Sequence, residues 1–279
     1  MRSIRFWILV PVLLVTVTFG QNGSVNLSLN DARPVAAAIE SLEAKYGWVI
    51  TYEDPPYAFA GDIQDVTERV RKDLNRYERG KAPRVIVPRG GALSVSYTAN
   101  PNHPAVVIQS VLDAEAARSG NVFRVKQDGN MFHVVPAKSK NKNGQPVERA
   151  SILESNITLA GGQQTGVQML QTICEALSKA NEAPVLLGIF PNNLFYNLRV
   201  DRKAGNESAR ETLMSLFAKT NRKLSWQLFY DPGLQKYALN VHVVPDVLGN
   251  ATAKTPTPAA PLDQGNTGPP PGAASPKKP

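Results

Sequence analysis

Two hydrophobic spacings alternate along this chain, and they recur in the same order twice. Val35, Ile39, Leu42 and Tyr46 stand at i, i+4, i+7 and i+11, one face of a helix, with Gly47 as its stop. His103 to Arg118 predicts a second helix, with Pro104 in its first turn and Gly120 beyond its end. Thr165 with Gln168, and Ser208 with Glu211, are capping-box patterns that open two more. Trp48–Tyr52 and Val185–Phe190 read as strands after the first and third helices. Each half then closes on a hairpin, NVFRVKQ-DGN-MFHVVP in the first and KLSWQLFY-DPGLQ-KYALNVHVVP in the second. In the second hairpin Leu224, Trp226, Leu228 and Tyr230 alternate with Ser225 and Gln227, and Tyr237, Leu239, Val241 and Val243 with Asn240 and His242. A period of two means one buried face. Each half reads β-α-β, β-α-β-β. The expected fold is α+β, two tandem βαβ-βαββ halves with helices packed on one face of small mixed or antiparallel sheets.

Composition sets the boundaries. PAKSKNKNGQPVER is polar and lysine-rich, so residues 137–150 read as a linker between a first domain at 21–136 and a second at 151–245. From 246 to 279 the chain is rich in Pro, Ala and Gly and poor in large apolar side chains, the signature of a disordered tail. Residues 1–20 carry Arg2 and Arg5, an apolar run from Phe6 to Phe19, and the small residues Thr18 and Gly20, as a secretory signal does. Fourteen apolar-run residues give a helix of about 21 Å, short of the roughly 30 Å hydrocarbon core. The expectation is an exported, periplasmic or extracellular protein with no transmembrane segment once the signal is cleaved.

A net charge of +8 invites a nucleic-acid reading, but its distribution removes the reason for one. Residues 21–136 carry 13 basic and 13 acidic side chains, and the excess sits largely in the signal and the linker. No nucleic-acid partner is expected.

Candidate chemistry is sparse. One cysteine excludes an internal disulfide and a Cys₄ zinc site. That residue, Cys174, lies on the apolar face of TGVQMLQTICEAL and reads as core. His133 and His242 sit in the matching strings FHVVP and VHVVP, without a second ligand at metal spacing, and His103 reads as a helix-start residue. TLAGGQQTG lacks the lysine of a P-loop. Glu53 and Asp54 are adjacent on a strand and so point to opposite faces. No nucleophile motif appears, and no catalytic residue, cofactor or metal is expected.

The unit LSVSYTANPNHPAVVIQSVLDAEAARSGNVFRVKQDGNMFHVV is similar to the short N-terminal domain of secretins and TonB-dependent receptors. So is YNLRVDRKAGNESARETLMSLFAKTNRKLSWQLFYDPGLQKYALNVHVV. The shared pattern is strand, short leucine-faced helix, strand, hairpin, over about 85 residues. No secretin pore or receptor barrel follows. The resemblance implies a non-catalytic module that makes protein–protein contacts in the cell envelope.

One segment breaks the internal symmetry. Residues 54–91 have only PNN, 191–193, as a counterpart in the second half. They hold DPPYAFAGD and then a helix-like stretch with Ile63, Val66, Val70 and Leu74 on one stripe. An insertion on a repeated scaffold is a natural place for a specific contact, with Asp54, Tyr57, Phe59 and Tyr77 as candidate partner-binding residues for an envelope protein. The second functional class is a binder of cell-wall glycan or a small envelope ligand, using Trp48, Tyr52 and Tyr57 as an aromatic platform.

Overall fold

The structure, a computed structural model, describes residues 18–19, 23–78, 80–99 and 101–247. The expected signal, apart from Thr18 and Phe19, and the expected tail from 248 onward lie outside the described residues. The described chain is mixed α+β, and the order of elements repeats as β-α-β, β-α-β-β.

In the first half β1 (Ser24–Asp31) leads to α1 (Pro34–Tyr46) and β2 (Val49–Glu53). After the insert come β3 (Gly91–Thr98), α2 (Pro104–Ser119) and the hairpin β4 (Val122–Asp128) with β5 (Met131–Lys140). The second half repeats this, except that its outer strands are each broken in two. β6 (Asn156–Leu159) and β7 (Gly162–Thr165) precede α3 (Gly166–Asn181) and β8 (Val185–Leu187). Then follow β9 (Arg199–Arg202), β10 (Gly205–Ser208), α4 (Ala209–Ala218), β11 (Leu224–Asp231) and β12 (Lys236–Val243).

Local signals explain the helix ends. Gly47 and Gly120 adopt left-handed φ of 65° and 76°, and each donates its N–H back to a carbonyl of the last turn, Glu43 O and Ala116 O. Thr165 and Ser208 close full capping boxes with Gln168 and Glu211.

In the first half β1 and β3 pair over eight residues as an antiparallel ribbon, and the helices lie between this ribbon and the main sheet. Ala36, Ala37 and Ala38 are all buried, because a helix covered on both sides leaves room only for small side chains. β6–β10 and β7–β9 form the equivalent ribbon over α3.

The halves meet in one sheet ordered β8-β12-β11-β2-β5-β4. β2 runs parallel to β5 and β8 parallel to β12, while β11 and β2 join the halves as a parallel pair, Gln227 opposite Tyr52 and Leu228 opposite Glu53. Paired residues share a face. Tyr52 belongs to the first apolar core and Leu228 to the second, so the helices of the two halves cover opposite faces. The halves are therefore not separate domains: the described residues up to Val247 pack as one unit.

A second difference concerns the segment expected as a linker. β5 continues through Lys140, a turn held by Asn141 Oδ1 follows, and Pro146–Glu148 pairs back on β5. Salt-bridged Lys138 and Glu148 flank that turn. Its polarity is that of a solvated hairpin. The helix expected across the insert is also broken. Ile63–Asp65 pairs instead with Ile86–Pro88, and among the described residues of the insert the helical pieces are Thr67–Val70 and the 3-10 turns Ala60–Asp62 and Leu74–Arg76. Asp65 Oδ1 accepts from both the N–H and the hydroxyl of Thr67, which fixes the chain reversal at that point.

The two histidines do not correspond. His133 pairs across its hairpin with Lys126, whereas His242 pairs with Ser225 near the far end of a longer hairpin. His133 stacks on Trp226 at 5.4 Å and takes a hydrogen bond with Thr51 at 2.8 Å; burial, then the charges of Arg210 and Lys126, push it down to about 4. His242 meets Glu43 at 2.6 Å. Burial opposes its charge, but the hydrogen bond and charge of Glu43 win, and its imidazole is raised above the ordinary value.

Candidate functional site

β3 is the outer strand of the first ribbon. Its inner side pairs with β1, and the far side of β1 pairs with Thr18–Phe19. Among the described residues no strand pairs with the other side of β3. Its sequence, GALSVSYT, contains no charge and no proline, the two devices that usually blunt a sheet edge. Leu93, Val95 and Tyr97 turn in to the helices, while Ala92, Ser94, Ser96 and Thr98 stay exposed.

α2 leaves the far end of β3 and packs against it. At the Thr98 end this leaves a groove of about 340 Å³, lined by Tyr97, Pro101, His103, Val106, Val107 and Ser110. Val106 projects into it 63% exposed. His103 precedes the first turn of α2 at its N-cap position, as expected for a helix-start residue.

At the Gly91 end lies a smaller cleft of about 220 Å³. The end of α2 lines it with Glu115, Arg118 and Ser119, and the start of α1 with Arg33, Pro34 and Val35. The insert contributes Tyr57, Asp62, Arg89 and Gly90, and β5 contributes Lys140. Most of these charges are matched. Arg118 holds Glu115 at 2.8 Å and donates to Gly90 O at 2.5 Å. Lys140 meets Asp62 at 2.8 Å.

Behind the cleft wall Arg33 Nε donates to Asp54 Oδ2 at 2.6 Å, and its Nη2 to Tyr230 O at 2.8 Å. The hydroxyls of Tyr52 and Tyr57 both donate to Asp54 Oδ1 at 2.8 Å. Burial first, and then the Asp54 charge, push both phenols well above their ordinary value, so they stay protonated as donors. Asp54 Oδ2 also accepts from Tyr230 N at 2.9 Å, and Asp54 N donates to Leu228 O. Asp54 thus ties β2 to β11.

These contacts place the four sequence candidates. Asp54 is 2% exposed and spent on the junction between halves, so it has no surface to offer a partner. Tyr57 lines the cation-rich cleft. Phe59 lies under Lys140, whose Nζ is 5.4 Å from the ring centroid. Tyr77 is remote from both, under Arg71 at 5.0 Å. The structure places Tyr57 in the cleft, Phe59 beside it under Lys140 and Asp54 directly behind it on the Tyr57 hydroxyl, while Tyr77 lies away from all three. The platform Trp48, Tyr52 and Tyr57 is not assembled: Trp48 stacks on Tyr46 at 4.5 Å, and Tyr52 is buried against Phe123.

Sequence reading missed the open edge of β3 and the role of Arg33. The absence of charge in an eight-residue alternating strand was the available signal for the first. Nothing in the sequence ties Arg33 to Asp54 and Tyr230.

Adjacent Glu53 points to the opposite face, as its spacing requires. It is buried with Arg210 at 2.6 Å and accepts from Ser151 Oγ at 2.5 Å. Burial raises its pKa against the opposing pull of Arg210. The Cys174 thiol is buried and pushed up to about 12, which leaves it without nucleophilic thiolate. Among the described residues no group of three His, Cys, Asp or Glu side chains is placed to hold a metal, and no helix is long and apolar enough to cross a membrane.

The chain matches no protein-family model, no curated protein and no solved structure.

Proposed function

We propose that this protein is an exported, non-catalytic α/β module that makes protein–protein contacts in the cell envelope, in the manner of a secretin N-terminal domain. It captures an extended segment of an envelope partner as an added strand on β3. The observation that carries this reading is the continuous, uncharged edge Gly91–Thr98, unpaired among the described residues, beside an open groove. An added strand gains main-chain hydrogen bonds from the edge, and its alternate side chains face the groove. The exposed Val106 and half-buried Pro101 supply an apolar floor for one of them. The insert shapes one end of this surface through Tyr57, Arg89 and Gly90.

The test is site-specific photocrosslinking in intact cells. A photoreactive side chain at Val106 should yield an adduct that maps to one extended segment of a single envelope protein. Adducts that arise only from Phe59 or Tyr77, with none from Val106, would overturn the assignment of the groove.

A further inference from the structure

The two ends of the β3 edge differ, with the open groove at Thr98 and the cation-lined cleft beside Gly90, and that polarity has a direction. Because α2 returns antiparallel to β3, its N-terminal turn flanks Thr98 and its C-terminal turn flanks Gly90. A strand added antiparallel to β3 enters at the Thr98 end. It travels about 24 Å, at roughly 3.4 Å per residue, and arrives with its own C-terminus at the cation-lined cleft. Resting on the proposed strand capture, the geometry points to this cleft as the site of a C-terminal carboxylate: the partner segment is the end of a chain.

Charge selects the ligand. Four cations line the cleft, Arg33, Arg89, Arg118 and Lys140, against Asp62 and Glu115, with Asp54 directly behind. The balance is one net positive charge, which a carboxylate neutralises and a phosphate dianion overruns. Arg89 is the receptor group. Its Nη2 donates to Ile63 O at 3.2 Å, and among the described residues no carboxylate pairs with it. The start of α1 opens on the same cleft, without a side-chain cap and without an acid in its first turn. Asp31 Oδ1 takes the Arg33 N–H at 2.6 Å and Pro34 has none, so the N–H groups of Val35 and Ala36, with the helix dipole, are what favour a further anion there.

Asn121 is the second, independent sign of a ligand. It lines the cleft 5% exposed, and its Oδ1, tucked under the wall and within a side-chain rotation of the cleft, has no hydrogen-bond partner among the described residues. A buried carbonyl left bare is costly, so the site calls for a donor as well as a charge. A C-terminal residue carries both within one unit: a carboxylate for Arg89 and an amide N–H for the Asn121 carbonyl. A free amino acid shares the carboxylate but brings an ammonium into an already positive cleft.

The probe is N-acetylglycine, the smallest carboxylate with an adjacent amide N–H, titrated into the protein and followed through the backbone amides of Gly90 and Gly91. Saturable shifts are expected. N-acetylglycinamide, inorganic phosphate and glycine should each bind at least about tenfold more weakly. Arg89→Gln should lose at least about tenfold in affinity with an unaltered melting temperature, since Arg89 is exposed and makes a single surface bond. Asn121→Ala should erase the preference for N-acetylglycine over acetate. Val106→Asp, which blocks the groove, should leave N-acetylglycine binding intact, so the cleft and strand capture fail separately. Equal binding of the amide, tighter binding of phosphate, or no shift at about 50 mM probe would overturn the carboxylate site. Tighter binding of glycine would reassign it from a chain end to a free amino acid.

Discussion

The two halves present the same outer strand to solvent in two different states. In the first half it is β3, eight residues without a break or a charge. In the second it is β9 and β10, interrupted at Lys203 and Ala204 and carrying Arg199, Asp201, Arg202 and Glu207. A cavity of about 390 Å³ lies beside this second edge too, but Asp201, Arg202, Lys203, Glu207 and Lys219 line it, and Arg202 closes on Glu207 at 2.9 Å. Broken, charged edges resist an incoming strand, and smooth neutral ones accept it. Two halves with the same order of elements thus carry one blunted edge and one open edge. Under the proposed strand capture, the side chains of the outer strand, and not the fold that both halves share, decide which edge takes a partner.

The comparison depends on the halves staying joined, and the largest expected effect breaks that joint. Arg210→Ala strands the Glu53 carboxylate in the core and should cost about 3–5 kcal/mol in denaturant unfolding. Adding Glu53→Gln should recover part of the loss, because the uncompensated charge is then gone. A small loss from Arg210→Ala alone would mean the junction is solvated.

Val106→Asp comes next. It places a charge in the apolar groove and should weaken capture of the crosslinked segment on the order of a hundredfold, read by fluorescence anisotropy. Because an acid in the first turn of α2 suits the helix dipole, stability should hold or rise slightly. A smaller loss sharpens the comparison further. Ser94→Lys with Ser96→Glu gives β3 the charged character of β9 and β10, and should weaken capture about tenfold while stability stays within about 0.5 kcal/mol.

The smallest effect is on pH dependence. His242 joins β12 of the second half to Glu43 on α1 of the first, and its folded pKa is raised. The sign follows: the contact contributes fully below about pH 6.5, the unfolded value, and is lost as pH rises through the folded value. The stability difference between the native chain and His242→Gln should therefore shrink from pH 6 to pH 9. A difference that grows over that range would show that the imidazole is not charged in the fold.

What the sequence made legible was local. Capping boxes, glycine stops and hairpin turns act within a few residues, and Thr165, Ser208, Gly47 and Gly120 do what their neighbours imply. The strand–helix order of both halves followed from them. The joint between halves did not, because β11 meets β2 across more than 170 residues, a pairing that no local spacing encodes. The insert misled for a related reason. Ile63, Val66, Val70 and Leu74 have helical period, but a strand partner 21 to 25 residues on, Ile86 opposite Asp65 with Val87 opposite Gln64, claimed its first turn. Asp54 shows the limit most sharply. Its carboxylate is exposed or buried according to where Arg33 and Tyr230 lie, and neither is near it in sequence.

The central claim is that the open edge Gly91–Thr98, and not its charged counterpart, takes the partner strand. Hydrogen exchange of the purified protein, alone and with a synthetic peptide of the crosslinked segment, tests this at backbone level. The account predicts that amides of Gly91–Thr98 gain protection on binding while those of Arg199–Ser208 exchange unchanged. Protection at Arg199–Ser208, or across the insert with Gly91–Thr98 unaltered, would contradict it.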